Sequence, residues 1–576
     1  MNQKRVFVYL FVVLFVIQAA LLATPAKKEK KLRLDEQAGS FHVRDLTETG
    51  GSFEIYDLDT KDFRGEAAHY FGSDLDLLIN DEEKNNDEPI EPVSWKKKRL
   101  GRAILEMIPM LGSSQINYWI KYTQWIEDWQ FQLTWKDQKR RFFSLEAQKF
   151  DSNCFQTNWT HSLAGALYYN FARSNNLTWG ESLLYNTLTS MYWEFIVEWR
   201  EVVSVNDNIL TSIGGFSIGE AMYQTSKYFL DRPGTVNKIV GTLFDPILAF
   251  NHWLNRKSRR IHPPVLFNHA HQFTLFLGYK SGTHSVLGED YSNFHVGLDT
   301  EIINIPKYGK AGSYDLGYNK PMSSRLHFDI SFGPDGMEEY RASTKVILMG
   351  KAKQELQDTG DGVEGFTLFW GAGSSFELFQ ERSIFHFDSC TEFYFSDEFV
   401  NIPTPTQFTD KFSTVHIIGP VFDVNFLTSK TQLRLTVEAY LDFSLVNAMA
   451  LNDYTQNANL EGVKATLANY GYYYAFGFTT EANARFKYEN IQLGAGLRYT
   501  YYNSVEGLDR FYDTITDDFN IEDSRFDYNV NLGYTIPGTN AELFVNYEEV
   551  KRTGWIRDVT SRQTDKRFFG QVRFHF

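Results

Sequence analysis

Cysteine is almost absent: Cys154 and Cys390 are the only two in 576 residues. That excludes a disulfide-dense scaffold and any Cys-x-x-Cys metal site, so the fold must rest on other contacts. One bridge between them stays open in an oxidising compartment, but two unpaired buried thiols are the expectation at so long a separation. Long hydrophobic runs are missing after the first 26 residues and mean hydropathy is −0.36, which excludes a bundle of transmembrane helices. Lys and Arg (57) fall short of Asp and Glu (72), with no long basic stripe. A general nucleic-acid binder is thereby excluded, because it needs cations to replace phosphate counterions. H-E-x-x-H, G-x-S-x-G, P-loop and paired E-x-x-H patterns are also lacking. Aromatic residues, by contrast, are abundant, with 49 Phe, 32 Tyr and 12 Trp.

Residues 1–26 open with Lys4 and Arg5, run apolar from Val6 to Ala23 and reach small residues at Thr24 to Ala26. This predicts a cleaved signal peptide, with an uncleaved anchor as the rival reading. Residues 27–98 are rich in charge and poor in pattern, which predicts an acidic, solvated periplasmic segment.

From about residue 264 to 576, apolar and polar residues alternate in segments of ten or so, as at 272–279, 325–331, 432–443, 491–501 and 541–547. Period two means strands. Three features choose lipid over a soluble sandwich. Aromatic clusters such as Tyr470, Tyr472, Tyr473 and Tyr474 suit membrane interfaces. Short links at 428–430, 489–490 and 537–540 alternate with long polar stretches at 452–467, 504–524 and 553–564. The chain ends on a strand with Gly570, Val572, Phe574 and Phe576 on one face. That ending resembles the signal by which bacterial outer-membrane barrels are recognised for insertion, which implies the barrel assembly machinery as a partner. The expected fold is mainly β with an α-helical module: a transmembrane outer-membrane barrel of about 12 antiparallel strands, or 14 if an earlier hairpin joins.

That hairpin is read at 129–150, where Trp129, Phe131, Leu133 and Trp135 alternate with polar residues at the start of the 99–263 module. Helices are predicted over 160–174, 179–203 and 209–228, the last capped from Asn206, Asp207 and Asn208. Glu194, Glu198 and Glu201 fall at i, i+4 and i+7 and share a helix face. Gly215 and Gly219, with Gly214, permit a close helix approach and read as packing glycines.

The order His161, Tyr168, Tyr169, Arg173, then Trp193-Glu194 with Glu198, then Ser204, Asp207, Gly214-Gly215 and Gly219-Glu220 resembles an uncharacterised bacterial envelope family. It is a domain of unknown function found in outer-membrane proteins, and the resemblance spans about residues 150–228 and the barrel that follows. It implies address and architecture and brings no activity.

The candidate polar cluster is His161, Arg173, Glu194, Glu198, Asp207 and Glu220, converging between three helices. Ion pairing, a divalent-metal or lipid site, and acid/base catalysis are all open to such a set. The expected function is transport or binding of a small solute or lipid, with the helices as a lumenal plug or periplasmic cap. A barrel-embedded enzyme acting on envelope lipid or glycan, and a non-catalytic scaffold, are the alternatives. The acidic balance suits cations or neutral solutes. No cofactor is expected, and outer-membrane lipid is an expected partner.

Overall fold

The computed structural model describes residues 98–122, 131–254, 270–283, 290–305, 307–334, 336–381, 409–510 and 515–576. The signal at 1–26, the acidic segment up to residue 97 and Cys390 lie outside the described residues.

The helical module contains α1 (Leu100–Tyr122), α2 (Trp135–Phe143), α3 (Phe155–Arg173), α4 (Trp179–Tyr192), α5 (Val205–Ile209), α6 (Gly215–Leu230), α7 (Thr235–Phe244) and α8 (Pro246–Leu254), with a two-residue parallel pairing of β1 (Gln148–Lys149) and β2 (Val203–Ser204). The expected hairpin at 129–150 is absent among the described residues: 135–143 is helical. Alternation over so few residues loses to a cap signal, Thr134 Oγ1 accepting from the Asp137 N–H at 3.1 Å. Two π turns interrupt the predicted helices, Trp193–Val197 after α4 and Leu210–Gly214 between α5 and α6.

Thirteen strands follow: β3 (Ala270–Thr283), β4 (Asp290–Ile303), β5 (Gly312–Tyr318), β6 (Ser323–Gly333), β7 (Gly336–Asp358), β8 (Val363–Glu381), β9 (Lys411–Leu427), β10 (Thr431–Asn447), β11 (Tyr472–Tyr488), β12 (Ile491–Ser504), β13 (Ile521–Thr535), β14 (Ala541–Ile556) and β15 (Val559–His575). All but β5 pair antiparallel in the order β7-β6-β4-β3-β15-β14-β13-β12-β11-β10-β9-β8, and β8 pairs back to β7. The result is a closed barrel of twelve strands, which leaves no free edge in the ring. β5 extends it by pairing with the protruding half of β7.

At the rim where the barrel begins and ends, Phe273 and Phe576 exchange backbone hydrogen bonds of 3.3 and 2.8 Å. This terminal rim carries the short turns at 428–430, 489–490 and 536–540, and the opposite, distal rim carries the long 448–471 and 505–520 connections, the first with α9 (Leu451–Thr455) and α10 (Ala465–Tyr470). The predicted long loop at 553–564 is instead paired strand: Thr553 faces Arg562 and only 557–558 turn, because polar residues occupy both faces of this hairpin beyond the apolar belt.

Along each strand the faces alternate. Leu275, Leu277, Phe422, Leu493 and Leu497 are exposed on the outer wall, while the inner face is charged. Arg434 on β10 bridges the lumen to Glu301 on β4 at 2.9 Å, Arg341 on β7 reaches Glu548 on β14 at 3.0 Å, and Arg498 on β12 reaches Glu377 on β8 at 2.7 Å. This inside-out polarity is that of a barrel solvated by lipid.

The helices lie on the outer wall, which overturns both placements expected from sequence. Arg341, Ser343 and Lys345 face the lumen, so Tyr340, Ala342, Thr344 and Val346 between them face outward. It is these that meet the module: the Trp159 and Tyr340 rings stand 6.2 Å apart and Ser217 hydrogen-bonds Thr344 at 3.0 Å. Phe376, Val415, Phe443, Leu445, Tyr472 and Tyr474, outward residues of β8 to β11, are buried in the same cluster as Phe155, Ala166, Leu210 and Ile218. A plug is excluded because the lumen already holds bridging ion pairs. A cap on one rim is excluded because the module touches both: Phe150 packs on Tyr474 near the distal rim, and Tyr228 and Phe229 pack on Phe273 at the terminal rim.

Candidate functional site

The predicted cluster divides into two groups. In the first, Arg173 Nε donates to Glu220 Oε2 at 2.8 Å, and Tyr169 and Gln224 also donate to that carboxylate. With its guanidinium 4.6 Å from the Tyr223 ring, this is a satisfied ion pair inside the helix bundle.

The second group lies at the distal end of the module. His161 Nδ1 stands 3.4 Å from Asp207 Oδ1 and 2.8 Å from the Thr157 carbonyl. Glu194 Oε2 accepts from the Ser204 N–H at 3.1 Å, and Glu198 Oε1 from Trp193 Nε1 at 2.9 Å. The π turn breaks the helical register, so Glu194, Glu198 and Glu201 do not form the predicted stripe. Instead Glu201 and Asp151 take Arg510 from the 505–520 connection, at 2.6 and 3.0 Å.

Residues that the motif reading missed hold this group together. Arg141, fully buried, donates to the carbonyls of Glu194, Phe195 and Glu201, which the π turn and the end of the helix leave open. Asn186 likewise serves the Thr211 and Ser212 carbonyls at 2.8 and 2.9 Å. Asn206 links the Asp151 N–H to Asn158, and Asn158 donates to the Tyr472 hydroxyl at 2.6 Å, tying the module to the wall. Nothing in their spacing marks them, although Arg141 lies in the short helix that the readable Thr134 cap opens. Cys154 is disulfide-bonded and not the free thiol expected from sequence.

Among the described residues no three His, Cys, Asp or Glu side chains are grouped to hold a metal ion. Ten of the 12 tryptophans lie at 95–253, so fluorescence reports on the module.

A second candidate lies inside the barrel. The 448–471 connection fills the distal mouth: Leu451, Leu460, Val463 and Leu467 pack on lumen-facing Val446, Tyr473, Ala475, Tyr502, Ile521 and Ile556. Lys464 pins it to Asp509 and Asp518, at 3.4 and 2.9 Å. At the terminal rim Ile305 and Met322, from the 304–322 connection, cover only the side formed by β4 and β7 to β10. Between them remains a chamber of about 550 Å³, six of its lining residues basic (Lys or Arg) and six acidic. Most of these charges are spent on one another. Arg573 lies over the Phe544 ring at 3.1 Å and donates to Gln571 at 2.8 Å, and neither it nor Arg485 makes an ion pair within 4 Å among the described residues. Around them stand Asn483, Gln492, Gly494, Asn529 and Asn531. Arg485 faces the lumen yet is exposed, so solvent reaches the chamber.

No curated protein matches the chain. Among solved structures, the chain is similar to the KdgM porin (10% identity, 53% of this chain and 99% of that one, TM-score 0.20). It is also similar to the TodX monoaromatic hydrocarbon channel deltaS2 mutant (8%, 55% and 93%, 0.20) and to the translocator domain of autotransporter NalP from Neisseria meningitidis (12%, 58% and 98%, 0.17). At such scores these likenesses carry no argument, and the fold rests on the strand pairing itself. Residues 147–247, most of the helical module with its buried acids, match the family described as Domain of unknown function (DUF3943).

Proposed function

We propose that this protein is an outer-membrane barrel that admits small polar solutes carrying an anionic group into a lumenal vestibule. The vestibule opens at the terminal rim, which faces the periplasm, and the 448–471 connection is its distal gate. The observation that carries this is the pair of arginines, Arg485 and Arg573, which have no carboxylate within 4 Å among the described residues and stand beside Asn483, Gln492, Gly494, Asn529 and Asn531 in a solvent-reached chamber. A guanidinium is the side chain best suited to carboxylate or phosphate, and a charged ring in a barrel sets which ions enter. The two guanidiniums left without a paired carboxylate thus favour anions, whereas the overall acidic balance suggested cations or neutral solutes. In this reading the 1–26 signal exports the chain, residues 27–97 lie in the periplasm, and the strand ending in Phe574 and Phe576 is presented to the assembly machinery.

The test is the reversal potential across a KCl gradient in planar bilayers, with the 449–470 segment removed. Chloride is expected to permeate better than potassium, and Arg485→Gln/Arg573→Gln to cut that preference at least about threefold. Cation preference, or no change in the double variant, would overturn the reading, and absence of any conductance would favour a scaffold.

A further inference from the structure

We infer that the helical module is itself membrane-embedded: its outer face continues the lipid-facing belt of the barrel, and the occupant of that face is the acyl chains of the surrounding lipid. Three observations independent of the vestibule lead there.

The first is position. α3 and α6 cross the wall from Tyr472 and Val415 towards the distal rim to Phe273 and Asn304 at the terminal rim. The wall they cover is the same surface that elsewhere exposes Phe422, Phe476, Phe478, Leu493 and Leu497 to lipid. A module resting on that surface from rim to rim occupies the height of the belt, about 25 Å in such barrels.

The second is inverted burial. The interior of the module seats polar side chains beside an apolar cluster of Met107, Tyr168, Phe171 and Tyr185: Asn158, Ser162, Asn186, Asn206, Ser217 and Glu220 are all nearly inaccessible. Its outside is apolar: Leu184, Leu188, Met191 and Ile196 on α4 and the π turn after it, Ile104, Leu105, Ile108 and Ile116 on α1. A soluble domain hides the second set and wets the first. Helices that associate in lipid do the reverse, joining through small residues and side-chain hydrogen bonds, as Gly165, Gly215 and Gly219 do here.

The third is the distribution of charge. Residues 182–193 carry none, and neither do 107–120. Charges gather at the two ends: Lys98 paired with Glu181 beside α4's start, whose neighbour Trp179 reaches the Asn319 carbonyl on the terminal side, and Lys136, Lys139 and Arg140 on α2 at the distal side. Fourteen helical residues in α4 rise about 21 Å, close to the belt height. Among the described residues no helix is long and apolar enough to cross a membrane unaided. Their polar residues lie inside the module, where they lower the mean hydropathy of each helix without meeting lipid.

The test uses nitroxide labels on single cysteines at Leu184 and Leu188 of the full chain in phosphatidylcholine/phosphatidylglycerol vesicles. Leu277 on the bare wall and Lys139 on α2 serve as references, and heat-modifiable mobility certifies the folded barrel. Labels at 184 and 188 are expected to collide with oxygen over a nickel chelate by the same ratio as at 277, several-fold above that at 139. A nickel-favouring ratio like that at 139 would place the module in water. Protection from both relaxants would place a protein partner, a second copy included, on this face. Either result overturns the inference.

Discussion

Removing residues 449–470, with a short turn joining β10 to β11, is expected to raise single-channel conductance by at least about tenfold over the intact protein, because apolar packing across a lumen excludes water and ions. In the folded chain the segment seals the distal mouth with Leu451, Leu460, Val463 and Leu467, and Tyr473 reaches Asp523 at 2.8 Å beneath it. None of these contacts holds the wall together, since β10 and β11 remain paired from Thr431 with Tyr488 to Asn447 with Tyr472. The ion pairs that cross the lumen stay in place and limit the pore, so the opened protein is expected to conduct less than a wide, sixteen-strand porin. A milder variant, Lys464→Gln, loosens the segment from Asp509 and Asp518 and is expected to give intermittent openings. An unchanged conductance after deletion, with heat-modifiable mobility retained, would show that the segment is no gate.

The barrel was legible because its signal is local and repeated. Twelve strands each carry period-two alternation, and an error in one does not spoil the rest, as the misread stretch at 553–564 shows. The place of the helical module was not legible, for a physical reason. Periodicity tells which helix face differs in polarity, but not which solvent lies outside; on α4 it is Leu184 and Leu188 that are exposed and Asn186 and Ser190 that are buried. In the candidate site, Arg173 with Glu220 and His161 with Asp207 lie on neighbouring helices and were found together from motif order. Arg510, more than 300 residues further along the chain, could not be found that way. Nor could the π turn that removes Glu198 and Glu201 from the stripe, since five-residue bonding has no composition cue.

Gly215→Ala is expected to cost the module about 3 kcal/mol, since overpacking against unyielding neighbours costs that order or more. α3 and α6 run side by side at the closest approach that backbone allows: a Cβ on Gly215 would lie 2.5 Å from Gly165 Cα, and one on Gly165 would lie 1.9 Å from the Thr211 carbonyl oxygen. Neither obstacle is a side chain that can rotate away. The helices must part, and parting them strains the Arg173 and Glu220 pair and the Ser217 hydrogen bond to Thr344 on the wall. Because the twelve strands close on themselves without the helices, the variant is expected to keep heat-modifiable mobility while its tryptophan fluorescence unfolds at lower urea and protease cuts within 98–254. Gly180→Ala is the matched control, for a Cβ there meets nothing within 4 Å, and it is expected to unfold as the parent does. Should Gly215→Ala and Gly180→Ala unfold alike, the close approach of α3 and α6 contributes nothing to holding the module on the wall.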